Sequence, residues 1–281
     1  MTSLARHVGA TDAAPARGGR PLVLGQIGLS FHVASAAVVR QVLAEADVAH
    51  TVVEHPHEQM FEMLANARID MVVSAWLPGS HGDYLSACGD DVVKLGVLYE
   101  PHAIWGVPDY VPISEVASLQ DLAKAPVVRR MDKVIQGIGP GAGISRFSRE
   151  IVERYRLDLH GYEFRNGTLA ECVGAFEAAV AERRWVVLPL WHPQYLHQRH
   201  RIRALADPEG LLRGKDAATI VLRREAARSL PPAVLARLAR MSLGNAAVTE
   251  LDDLVGRERL DPFVAARRWM DAHAGAVKAW D

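Results

Sequence analysis

Short apolar runs and longer apolar stripes follow one another along the chain from residue 21 onward. "PLVLGQIGL", residues 21–29, is an apolar run broken by Gly25 and Gly28, which reads as a buried strand leading into a loop. In "VASAAVVRQVLAEADV", residues 33–48, Val38, Val39, Val42, Leu43 and Ala46 recur at helical spacing and form one stripe. A β-loop-α start is the consequence. The alternation continues through a strand at "HTVVEH", a helix at "QMFEMLANA", strands at "IDMVVSAW" and "VKLGVLYE", and an extended piece "AIWGVPDYV" limited by Pro108. A helix over "SEVASLQDLAKA", residues 114–125, precedes "KVIQGIGPGAGISRFSREIVERYRL", which reads as strand, glycine-rich turn and helix. "YEFR", the helix "TLAECVGAFEAAVAE" and the strand "WVVLPLW" repeat the pattern, so an α/β class with largely parallel sheets is expected.

From about residue 231 the periodicity becomes helical, in "PPAVLARLARM", "TELDDLVGR" and "DPFVAARRWMDAHAGAVKAW". Pro232 and Pro262 stand where first-turn prolines belong, because the first N–H groups of a helix have no internal partner. Residues 1–20 are rich in Ala, Gly, Arg and Pro without periodicity and read as a flexible tail.

Composition narrows the function. At 281 residues the chain exceeds the usual single-domain length, so two lobes or one large α/β domain are expected. A net charge of -1 with Lys and Arg spread along the chain leaves no electrostatic footprint for nucleic acid or an anionic membrane. Cys88 and Cys172 are the only cysteines, which excludes a disulfide framework and a cysteine-rich zinc site. No apolar run reaches the roughly 18–20 residues of a membrane span. The N-terminal stretch shows no apolar segment of the kind an export signal carries, so none is expected in the chain as given.

Three groups of residues carry candidate chemistry. "GIGPGAGIS", residues 137–145, is a glycine-rich turn between strand and helix, where free N–H groups favour an anion such as a carboxylate or phosphate. Gly137, Gly139, Ala142 and Asp158 loosely meet a dinucleotide fingerprint, but Pro140 interrupts it, and a tight turn without a ligand is the alternative reading. Aromatics form the second group: Trp76 and Trp191 each end an expected strand and are followed within two residues by proline, in "AWLP" and "LWHP". Ligands bind at the carboxyl ends of strands in such folds, so a clamp is expected, with Tyr195, Phe31, Tyr99 and Trp105 as further walls. Aromatic faces attract cations, and a quaternary ammonium, which has no N–H to donate, suits such a cage. The histidines are third: His55 and His57 beside Glu54 and Glu58, and His192, His197 and His200, match no established zinc spacing and read as surface histidines. No metal, cofactor or catalytic residue is expected; His81 with Asp83 lacks an accompanying Ser or Cys elbow.

On "DMVVSAWLPGSHGDYL", "VPDYVPISEVASLQDLA", "GIGPGAGIS", "VVLPLWHPQYL", "LADPEG" and "DPFVAARRWMDAHAGAVKAW", which follow in this order over residues 21–281, the chain resembles the substrate-binding proteins of glycine betaine, choline and carnitine ABC importers, the OpuAC/ProX type. The resemblance implies a bilobal type II periplasmic-binding-protein fold, with two α/β lobes joined by two crossing strands. Lobe one would comprise 21–108 and 217–281, and lobe two 109–216. It implies a non-catalytic protein, expected as a monomer, that closes on a small quaternary-ammonium ligand, glycine betaine first, for delivery to an ABC permease. Trp76 and Trp191 match cage tryptophans, His81 a histidine near the ligand carboxylate, Gly143 and Ile144 carboxylate-binding N–H groups, and Tyr195 and Phe31 further aromatics. Desolvation of the charge pair on closure would leave binding only moderately salt-dependent. Two departures stand out. Ala142 replaces a Trp found in some relatives, so Phe31, Tyr99 or Trp105 would supply a wall, and Gln194 stands where a "W-x-P-H" version has His, next to His192. The family implies a periplasmic or cell-surface location, while the lack of an export signal leaves a cytosolic enzyme or sensor of the same fold as the alternative.

Overall fold

In the computed structural model, which describes residues 20–281, the run Met71–Leu77 is a strand buried at every position. A strand covered on both faces has no reason to alternate, and MVVSAWL is accordingly almost all apolar. It is β3 of a five-stranded sheet with β1 (Leu22–Ile27), β2 (His50–His55), β4 (Val92–Tyr99) and β10 (Ala217–Arg223), in the order β2-β1-β3-β10-β4. β1 runs parallel to β2 and β3, whereas β10 is antiparallel to both β3 and β4. A late strand thus completes an early sheet, and this first unit joins the residues up to Pro101 with Asp216–Asp281.

Helices α1 (Ser30–Glu45), α2 (His57–Ala65) and α3 (Gly82–Ser86) follow β1, β2 and β3. A Cβ at Gly25 would lie 2.3 Å from Met60 Sδ, so the glycine that interrupts the apolar run is where α2 closes on the strand, which continues to Ile27. After β10 come α8 (Arg224–Ser229), α9 (Pro232–Arg240), α10 (Gly244–Asp252), α11 (Pro262–Ala272) and α12 (Ala274–Lys278), with Pro232 and Pro262 opening their helices. α10 and α11 pack on α1, which explains why α1 is apolar well beyond one stripe. The helix expected from residue 249 instead begins at Gly244 and ends in a wider π-helical turn at Asp253–Arg257.

The second unit is His102–Lys215. It contains β5 (His102–Pro108), α4 (Ala125–Arg130), β6 (Val134–Gln136), α5 (Gly143–Arg154), β7 (Glu163–Arg165), α6 (Leu169–Ala181), β8 (Leu188–His192), α7 (Leu196–Arg199) and β9 (Ile202–Ala204). Its sheets are β8-β5-β9, antiparallel throughout, and a parallel β6-β7 pair. The unit begins at His102, ahead of the 109 expected, because β5 pairs with β8 and β9.

Two expectations are corrected. Among the described strands parallel pairing joins β1 to β2 and β3, and β6 to β7; apolar periodicity does not encode strand direction, and both β10 and the β8-β5-β9 sheet pair antiparallel. In place of one helix over 114–125 there is a 3-10 turn at Leu119–Ala123 and then α4. A reciprocal Ser118–Asp121 capping box satisfies the N–H groups of Ser118 and Asp121 and starts the turn there, and Pro126 falls in the first turn of α4. The expected tail at 1–20 lies, apart from Arg20, outside the described residues.

Candidate functional site

Ser74, at the middle of β3, has φ 64°, in the left-handed region that costs a non-glycine residue roughly 1–2 kcal/mol. The pairing of β3 with β10 shifts register between Thr219 and Val221 at the same level. The hydroxyl of Ser74 there meets His32 Nδ1 at 2.9 Å and the Tyr99 hydroxyl at 2.5 Å. Two residues on, the indole N–H of Trp76 donates to the Tyr99 oxygen at 2.9 Å. Burial pushes the Tyr99 phenol up to about 12, so it remains protonated at neutral pH. Phe31 lies 5.3 Å from the Trp76 ring and Tyr99 meets it edge-on at 6.3 Å. Within the first unit, Trp76, Phe31, Tyr99 and His81 therefore form one aromatic cluster, as ring separations from Trp76 to His81 of 6.4 Å also show.

The turn after Trp76 is held from both sides. Leu77–Pro78 is a cis peptide, and the N–H groups of Gly79 and Ser80 donate to the Asp216 carboxylate at 2.6 and 3.0 Å. His81 N–H donates to the Trp76 carbonyl, and Trp76 N–H donates to His81 Nδ1, both at 2.9 Å. His81 thus closes the loop that presents Trp76, and its neutral ring carries the proton on Nε2.

His32, His57 and His81, from three different elements, place one ring nitrogen each within 4.8 Å of the others, and all three side chains are buried. This corrects the surface reading of His57, which the sheet brings inward as α2 packs on it. The trio does not fit a metal ion: a ligating imidazole presents one lone pair and donates from its other nitrogen, whereas His81 Nδ1 is an acceptor and Nε2 holds the proton. Burial, then the neighbouring His57, hold His32 well below the usual histidine range, so it is neutral.

In the second unit Trp191 pairs with Ala103 and Trp105 with Pro189, which places both tryptophans on one face of the sheet. Trp105 is fully buried and its indole N–H donates to Ser148 of α5 at 2.9 Å. On the opposite face His192 pairs with His102 and stacks on it at 4.9 Å, and His197 stacks on His192 at 3.6 Å. Burial first, then His197 and His102, bring His192 down to about 4. These histidines are half-buried and stacked, and His197 is hydrogen-bonded, so of the two surface readings, solvated or hydrogen-bonded, His197 follows the second. His192–Pro193 is cis, His197 Nε2 donates to the Trp191 carbonyl at 2.9 Å, and Tyr195 is the cap residue of α7. Gly143 and Ile144 are the first two residues of α5, where no side chain caps the helix and the N–H groups have no acceptor within it. Gly137 serves packing: a Cβ there would sit 2.5 Å from the Phe164 ring, so the loose dinucleotide pattern has a local explanation.

The sequence reading missed Ser74, His32 and Asp216. Nothing marks them in the chain, because a left-handed backbone angle and contacts across 42 or 136 positions leave no local pattern.

The sheet order, with an antiparallel return strand between β3 and β4, and a second α/β unit inserted after β4 are those of the type II periplasmic-binding-protein fold. Residues 20–272 match the family model described as the substrate-binding domain of an ABC-type glycine betaine transport system, and the chain belongs to that family. The lactococcal OpuAC structure in a closed form with glycine betaine is similar over 93% of this chain and 99% of its own, at 23% identity and TM-score 0.81. The glycine betaine/L-proline-binding protein ProX of Borrelia burgdorferi is similar over 93% and 96%, at 21% identity and TM-score 0.82. The glycine betaine/carnitine transport binding protein GbuC of Listeria monocytogenes serotype 1/2a (strain 10403S) is 22% identical over 162 residues, 56% of this chain, and the match spans about half, 52%, of that relative's length.

Proposed function

We propose that this chain binds a small quaternary-ammonium compound of the glycine betaine, choline and carnitine class, without chemical change, for delivery to an ABC permease. The observation that carries this reading is Trp76, an indole whose N–H is engaged by Tyr99 and whose ring is set against Phe31. With the N–H so engaged and the ring held in place, its π face is a pre-set partner for a cation that has no hydrogen to donate. Family membership and relatives described with glycine betaine and choline support the same class. Trp191, Tyr195 and Phe31 would add aromatic contact, with Trp105 and Tyr99 behind them. His81 Nε2–H and the N–H groups of Gly143 and Ile144 would hold a carboxylate. Among the described residues no helix is long and apolar enough to cross a membrane.

Titration calorimetry of the purified chain against glycine betaine, choline, carnitine and dimethylsulfoniopropionate tests the proposal. Micromolar binding of at least one is expected, lost in Trp76→Ala and weakened in Trp191→Ala. No heat with any of the four from a folded chain would overturn it.

A further inference from the structure

Gln194 is 1% exposed, and neither its Nε2 nor its Oε1 has a hydrogen-bond partner among the described residues. A buried primary amide left without partners is unfavourable at both ends, because water satisfied each before folding. The residue has little freedom to move away. Its carbonyl accepts the N–H of His197 at 3.2 Å, and the same turn is tied again by the His197 ring on the Trp191 carbonyl. It lies three residues from Trp191 and next to Tyr195, two aromatics of the reading above.

We infer that Gln194 is a specificity-determining residue, and that its amide selects a ligand offering a hydrogen-bond donor and an acceptor side by side: a hydroxylated quaternary-ammonium carboxylate. This rests on the binding function proposed above. The physical reason is the chemistry of the amide. Nε2–H needs an acceptor and Oε1 needs a donor, and neither atom changes charge with pH. A ligand with a carboxylate alone satisfies Nε2 but sets oxygen lone pairs against Oε1. An alcohol alone satisfies one atom at a time. A carboxylate with a nearby hydroxyl, as in carnitine, answers both, and discrimination through paired polar groups is steep because a mismatched ligand leaves one of them buried and unsatisfied.

The test is calorimetry with carnitine, glycine betaine and choline on the wild-type chain, Gln194→Leu and the near-isosteric Gln194→Met, each checked for folding by circular dichroism. Wild type should bind carnitine more tightly than glycine betaine. Both variants should lose at least tenfold in carnitine affinity while glycine betaine affinity changes less than threefold, which removes the preference. If the variants weaken both ligands equally, or neither, the amide is a structural or water-bound group and the inference fails while the binding function stands. Should Gln194→Leu not fold, Gln194→Met decides the matter alone. Absence of binding by wild type to these three ligands overturns this inference, and absence of binding to dimethylsulfoniopropionate as well overturns the binding function.

Discussion

The two tryptophan-proline ends of this chain share a sequence pattern and a cis peptide, yet their surroundings differ. At Trp76 the indole N–H, the Tyr99 and Ser74 hydroxyls, His32 and His81 are linked in one hydrogen-bonded set around a left-handed Ser74. At Trp191 the strand belongs to a small antiparallel sheet, three stacked imidazoles occupy the opposite face, and Gln194 retains an unanswered amide. A saturated end holds its shape whichever ligand arrives, and so suits the feature common to the whole ligand class, the cation. An end with open hydrogen-bonding capacity would, on the inference above, distinguish between members of that class. On the proposed reading, Trp76 is the pre-set cation partner and Gln194 the group that tells one ligand of the class from another.

The largest effect that would break this contrast concerns Trp76 itself. Trp76→Ala removes a buried ring from the middle of the first sheet and should lower stability by roughly 3–5 kcal/mol, read from urea denaturation. A loss no larger than that of a surface substitution would show that the network does not depend on the ring. A smaller effect separates the hydrogen bonds from the packing. Tyr99→Phe deletes the acceptor of the Trp76 N–H, and Ser148→Ala deletes that of Trp105, each at about 1–3 kcal/mol. Only the first should also reduce affinity, by about tenfold, because it frees the cage ring to turn; unchanged calorimetric affinity in a folded Tyr99→Phe chain would argue against a pre-set Trp76.

The smallest effect is on pH. His192 titrates near 4 when folded and near the ordinary 6.5 when unfolded, so the unfolded chain binds more protons between those values. Its contribution to stability is complete above pH 6.5 and is lost as pH falls toward about 4; buried His32 acts in the same direction. Urea midpoints should therefore drop across this window, and His192→Phe should lessen the drop without removing it. A flat profile would mean that the stack and the buried histidines open to water before they charge.

The strand and helix order was readable because burial on one or both faces imposes period and composition on each element. β3 and α1 are examples, one apolar at almost every position and the other apolar beyond a single stripe. The residues that could face a ligand were readable for a related reason: Trp76, Trp191 and the glycine-rich turn are unusual side chains beside turn residues, and such pairings are visible in one dimension. Helix boundaries at 114–125 were less so, since a capping box at Ser118 competes with a longer amphipathic pattern and wins locally.

The elements, their class and the aromatic candidates were thus determined by local chemistry that the chain carries on its face. Only the tertiary structure decided that β10 runs antiparallel between β3 and β4, that Asp216 holds the turn after Trp76, that His32 and His57 turn inward beside His81, and that the Gln194 amide is buried without a hydrogen-bond partner among the described residues. Each of these depends on groups brought together from distant positions, and the energy of a hydrogen bond or a buried amide is set by what lies next to it in space.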